Sequence, residues 1–150
     1  MGYAAGRVRI EGMKASNGWV TTIVLVHLAV AIVHGKAHSE LLVGLTSAGM
    51  AFVVIVVLIL PLMAMVLSWR AARRLGLILL SLSMFAALVF GVYHHFLIVS
   101  PDHVSKQPSG PWGITFVATA VGLAVTELAG AYVGVHFLIG QKKNLGASSD

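Results

Sequence analysis

Cysteine is missing from the 150 residues. Its absence excludes disulfides, thiolate metal sites and thiol redox chemistry together, so any metal must be held by nitrogen, oxygen or methionine sulfur. Charge is nearly as scarce: charged residues are 10% of the chain, with Asp and Glu numbering only 5, against about 25% charged in soluble domains. No phosphate-binding loop, dinucleotide fingerprint or Ser-His-Asp arrangement is present. The segment HGKAH has paired histidines at the zinc-protease spacing but no glutamate between them, so the general base of that chemistry is lacking.

What fills the chain instead is apolar: 58% of residues are hydrophobic, and the mean hydropathy is +0.93. Crossing a hydrocarbon core about 30 Å thick takes about 20 apolar residues of helix. Four runs qualify, at Trp19–His34 extended to His38, Ser47–Trp69, Leu75–Val99 and Trp112–Ile139. The expected fold is an all-α membrane protein, a four-transmembrane-helix bundle forming a single integral membrane domain over 1–150, with helices near 19–38, 47–69, 75–99 and 112–139. Residues 1–18 are expected to be an interfacial or poorly ordered tail, and Gly35 and Gly44 to interrupt the first connection. Thr46 or Ser47 caps the second helix. Pro61 should kink that helix and free a backbone carbonyl near Val57.

The net charge of +5 raises the question of nucleic acid, but the basic residues flank apolar runs rather than forming a basic face, so no nucleic-acid partner is expected. Of the 10 basic residues, Arg7, Arg9, Lys14, Arg70, Arg73, Arg74, Lys142 and Lys143 fall on one side of the expected topology; only Lys36 and Lys106 fall on the other. The positive-inside bias therefore places both termini in the cytoplasm, in the cell inner or plasma membrane. Trp19, Trp69 and Trp112 sit at expected interfaces. A basic tail followed by an apolar run and Gly35-Lys36-Ala37 loosely mimics a secretory signal, but a histidine within the run and its length favour a spanning helix.

This topology gathers His34, His38, His94, His95 and His103, together with Asp102, at the outer ends of helices 1 and 3. His27, His34 and His38 form one stripe of helix 1. His94 and His95 are about 100° apart, so one of them at most points squarely inward. Imidazole is the commonest nitrogen ligand for transition metals. The expected centre is haem b, with His34 and His94 or His95 as axial ligands, or a copper, iron or zinc ion drawing on His34, His38, His94, His95, Asp102 and His103. Lys36 and Lys106 would lie near haem propionates. Its expected role is electron transfer or redox chemistry.

Glu127 lies deep in helix 4, where an ionisable side chain is a functional candidate by default. Its expected partner is His27, about 6 Å away in depth, and the pair would form a buried polar relay. His136 has no histidine at its depth, which weakens a two-haem wire. Gly130 and Gly134, with Ala120, Ala124 and Ala131 close by, mark a close helix approach, either within the bundle or in a homo-oligomer. Two alternatives stand beside the metal reading. One is a proton or metal-ion transporter using Glu127 and His27, although helices 2 and 3 offer little polarity beyond Ser81 and Ser83. The other is an accessory subunit of a larger membrane complex.

Overall fold

The computed structural model describes residues 2–70 and 72–146, with side chains described over 14–70 and 72–141. The basic side chains Arg7, Arg9, Lys142 and Lys143 lie outside that range. Among the described residues, four long helices make up the fold: α1 Gly2–Glu40, α2 Ser47–Ser68, α3 Arg73–Leu97 and α4 Pro111–Gly146. All four are long and apolar enough to cross a membrane.

The backbone of α1 is helical from Gly2, so the expected loose tail is a continuation of the first helix. No proline interrupts the first 60 residues, and a single interior glycine costs a helix only about 1 kcal/mol. Gly35 accordingly sits inside α1 and does not end it. The stop comes at Leu42, whose φ of 55° is left-handed. Leu42 N–H donates to the Ser39 carbonyl at 3.3 Å and Val43 N–H to the His38 carbonyl at 3.1 Å, the paired bonds of a Schellman turn.

Thr46 caps α2, its Oγ1 accepting from Gly49 N–H at 3.1 Å. Between Val53 and Ile59 the helix widens to π geometry just ahead of Pro61. Pro61 has no N–H to give the carbonyl one turn back, so the turn loosens there. A second π-turn, Tyr93–Leu97, ends α3. The connection to α4 is irregular except for one 3-10 turn, Val104–Lys106, and Pro111 opens α4 at the position where a missing N–H is harmless.

The helix α4 packs on α1 and on α3, α3 packs on α2, and the second half of α2 returns to α1. Gly134 permits the closest approach: a Cβ there would lie 2.9 Å from the Leu77 carbonyl and overlap Ser81. A Cβ on Gly130 would press on Met84, so the glycine stripe of α4 packs within the bundle against α3. Val20, Val24, Ala64, Leu77, Leu80 and Met84 form a buried apolar core. The outward faces are apolar as well, with Ile32, Leu82, Val125 and Tyr132 all more than 60% exposed. A soluble monomer rarely shows contiguous apolar patches beyond a few hundred Å².

Candidate metal centre

At the loop end of the bundle, where the connections 41–46 and 98–110 lie, two buried histidines and one half-buried histidine come together. His34 and His38 come from α1, one turn apart, and His95 from α3. Their ligand nitrogens lie within 4.8 Å of one another, so the group can hold a metal ion. The π-turn Tyr93–Leu97 carries His95 inward, to a residue exposure of 6%. Its neighbour His94 turns aside, its ring against Phe90 at 4.4 Å and Tyr93 at 5.2 Å between centroids.

Proton positions follow from the partners. A backbone carbonyl only accepts, so the ring nitrogen facing one must carry the hydrogen. His38 Nδ1–H donates to the Val43 carbonyl at 2.9 Å, and His95 Nδ1–H to the Asp102 carbonyl at 3.0 Å. The Schellman turn at Leu42 is what brings Val43 over His38. His34 Nδ1 faces Thr119 Oγ1 at 2.9 Å. That hydroxyl gives its own proton to α4 carbonyls, Thr115 at 2.6 Å and Phe116 at 3.1 Å, so it accepts from His34.

With one hydrogen per imidazole, each ring holds it on Nδ1, which leaves three bare Nε2 lone pairs. These converge: His34 Nε2 lies 3.2 Å from His95 Nε2 and 3.2 Å from His38 Nε2. Lone pairs at that distance repel unless a cation lies among them. A tetrahedral metal with nitrogen at about 2.0–2.1 Å has ligand-to-ligand edges of about 3.4 Å, close to this spacing.

Asp102 adds to the same imbalance. Its Oδ1 lies 3.3 Å from His38 Nε2 and 3.5 Å from His95 Nδ1, yet both carboxylate oxygens are buried without a hydrogen bond. The 98–110 connection holds it in place: His103 caps the 3-10 turn, accepting from Ser105 N–H at 3.1 Å and donating through Nε2 to the Phe96 carbonyl at 3.2 Å. Both His103 nitrogens are used in this way, and His103 stands outside the triad. Phe116, fully buried, packs against all three ligand rings at centroid distances of 4.7, 4.8 and 5.4 Å.

No protein-family model, curated protein or solved structure matches this chain. The reading of the centre rests on its geometry.

That geometry suits an ion better than haem. Axial imidazoles on one iron stand about 4 Å apart across a flat macrocycle, given metal–nitrogen bonds of about 2 Å. Here the His34 and His95 nitrogens are closer than that, and their rings meet edge to face at 4.9 Å with no slot between them. Lys36 is paired with Glu40 at 2.5 Å and lies over the Trp112 ring.

Deeper in the bundle, the expected pairing of His27 with Glu127 gives way to another. His27 Nε2–H donates to the Val57 carbonyl at 3.0 Å, whose donor four residues on would be Pro61, which has no N–H, and Nδ1 faces Thr126 Oγ1 at 3.4 Å. Glu127 turns instead toward α3. Its residue exposure is 3%, and Oε2 is buried with no hydrogen-bond partner. His136 stacks on Tyr132 at 5.7 Å near the far end of α4.

Several parts of the centre carry no metal-site pattern in the sequence: Phe116, Thr119 and the Val43 carbonyl. Thr119 alone leaves a signal. Thr119 and Thr126 repeat along α4 at the spacing with which His34 and His27 repeat along α1.

Proposed function

We propose that this chain is an integral membrane protein that binds a transition-metal ion through His34, His38 and His95 near one membrane face. Asp102 supplies negative charge on the loop side of the ion. The observation that carries the reading is the convergence of three Nε2 atoms, two pairs of them 3.2 Å apart, beside a buried carboxylate that makes no hydrogen bond. Protons are the competing cation, but one proton can sit between only one pair of these atoms. A single metal ion relieves both 3.2 Å contacts and the Asp102 contact together. Three neutral nitrogens suit zinc, copper, nickel or iron, and the absence of thiolates disfavours cuprous sequestration through sulfur.

The apolar outer faces support insertion in a bilayer, where they meet lipid instead of water. The distribution of Lys and Arg favours cytoplasmic termini, which puts the centre near the opposite face. Transport through the bundle has less support. Buried polar groups run from the triad to Glu127 and the His27–Thr126 pair. Beyond these, Val20, Val24, Leu77, Leu80 and Met84 form an apolar core in which Ser83 is the buried polar neighbour, and the hydroxyls of Ser83 and Ser68 are turned back to carbonyls of their own helices.

The test is metal binding by detergent-purified protein stripped with a chelator and titrated with zinc or cobalt(II). One ion per chain, lost in His34→Ala and His95→Ala and kept in His94→Ala and His103→Ala, is the expected result. Monodisperse, helical protein that binds no ion would overturn the reading.

A further inference from the structure

Three nitrogen ligands leave a transition metal with a coordination position to fill, and the structure has a place for what fills it. The place is the surface of α3 at Gly91. A Cβ built there would stand 3.8 Å from Glu127 Oε2 and 3.9 Å from His95 Cδ2. No other atom beyond the glycine's immediate surroundings comes within 4 Å of that point. The missing side chain thus leaves a gap of about the size of a methyl group, bounded by a carboxyl oxygen and an imidazole edge.

That edge is the one next to the metal. In imidazole, Cδ2 is bonded directly to Nε2, so an ion ligated by His95 Nε2 lies about 3 Å from Cδ2, given a bond of about 2.0–2.1 Å. The gap therefore borders the ring carbon that adjoins the coordinating nitrogen of His95, and Asp102 reaches the triad from the 98–110 connection. The other atom that bounds the gap is the buried oxygen of Glu127. A buried polar atom without a partner is uncommon, and an ordered water is the usual remedy in a space that is polar and large enough.

Building on the metal reading, we infer that the gap at Gly91 holds a water-sized exogenous ligand of the metal, which donates a hydrogen bond to Glu127 Oε2. The centre is thus open and not a closed structural site. Its fourth ligand is water, or a small molecule that replaces water. Glu127 is a positioning residue for that ligand and does not touch the metal. A closed centre would need Asp102 to complete the coordination, and the gap and Glu127 would then have no part in it.

The test uses full-length protein loaded with copper(II) as a paramagnetic probe in water enriched in oxygen-17. Wild type is expected to show the hyperfine broadening of an inner-sphere water. Gly91→Ala adds a methyl at ordinary contact distance from both walls, so the fold and the copper stoichiometry are expected to hold while the broadening disappears. Glu127→Gln is expected to keep the water but to shift the coupling of its exchangeable protons, and to abolish a carboxyl band that moves on metal loading in the wild-type infrared difference spectrum. Broadening unchanged in Gly91→Ala, or absent from copper-loaded wild type, overturns the inference and leaves the metal site standing. Should Gly91→Ala misfold, a Glu127→Gln protein with unaltered proton couplings overturns it independently. Failure of wild type to bind copper, zinc or cobalt overturns the metal reading itself.

Discussion

Two buried histidines on one face of α1 meet the same kind of partner and end in opposite conditions. His27 and His34 lie two turns apart, and each turns Nδ1 toward a threonine of α4, Thr126 for the first and Thr119 for the second. The difference is on the other nitrogen. His27 Nε2 finds the Val57 carbonyl, four residues ahead of Pro61, and must carry the proton. His34 Nε2 finds two more bare nitrogens. Burial and helix are alike, but the two threonines must act in opposite senses: Thr119 accepts from His34 Nδ1–H, whereas with the His27 proton on Nε2 the Thr126 hydroxyl has to turn from the Leu123 carbonyl toward the bare His27 Nδ1. Assigning each proton to a donor and each lone pair to an acceptor separates a structural histidine from a ligand.

The sharpest way to break the comparison is to remove each ring in turn. Replacing His34 or His95 by Ala is expected to weaken zinc or cobalt affinity by more than about 100-fold, since even outer-sphere changes at metal sites cost about 10–100-fold. His27→Ala is expected to leave affinity within about twofold and to lower stability by about 1–3 kcal/mol, because the Val57 carbonyl is left buried and unpaired. Isothermal titration and thermal unfolding of the same detergent preparations measure both quantities. Equal losses of affinity at His27 and His34 would dissolve the distinction.

Asp102 sharpens the same contrast through charge. Its carboxylate is held in a buried place with no hydrogen bond, a condition that suits a neighbouring cation and costs stability without one. Asp102→Asn should therefore act in opposite directions on the two forms. Metal affinity is expected to fall by about 10–100-fold, while the melting temperature of the chelator-treated protein rises. A fall in both would mean that the carboxylate stabilises the empty bundle, and the cation argument would weaken.

Much of this is legible in the sequence. Apolar runs located the four helices, the stripe on α1 pointed to His34 and His38, and the loss of a hydrogen bond at Pro61 pointed to Val57. The choice between His94 and His95 was not legible, because a π-turn sets it and its register depends on how α3 meets the 98–110 connection. Leu42 ends α1 in a left-handed conformation that sequence reasoning reserves for glycine. The partner of Glu127 was misjudged for a reason visible in its spacing. Glu127, Gly130 and Gly134 share one helical face, and the glycines lie against α3, so the carboxyl turns there too. Thr126, on the adjoining face, meets His27.

A smaller effect tests why His27 is satisfied. If its partner carbonyl is free because Pro61 has no N–H, Pro61→Ala should give the Val57 carbonyl a helical donor and make His27 less necessary. In a double-mutant cycle, the cost of His27→Ala is expected to shrink by about 1 kcal/mol in the Pro61→Ala background, the size of one net hydrogen bond. Strict additivity would mean that the imidazole and the proline act separately, and His27 would then need another account.

The smallest effect concerns the turn that orients His38. A leucine in the left-handed region is strained by about 1–2 kcal/mol, and glycine relieves that strain at an entropic cost of about 0.5–1 kcal/mol in the unfolded chain. Leu42 is 91% exposed, so its side chain contributes little packing that glycine would forfeit. Leu42→Gly is therefore expected to stabilise the protein by no more than about 1 kcal/mol, with metal affinity unchanged because the Val43 carbonyl keeps its place over His38. Leu42→Val, whose branched side chain tolerates the left-handed region poorly, should disturb the turn and loosen the acceptor that fixes the His38 tautomer. A metal affinity that falls in the valine variant and holds in the glycine variant would show that the Schellman turn is part of the site. The comparison would then extend from His27 and His34 to the third ring: a ligand here depends on the acceptor behind it as much as on the nitrogen in front.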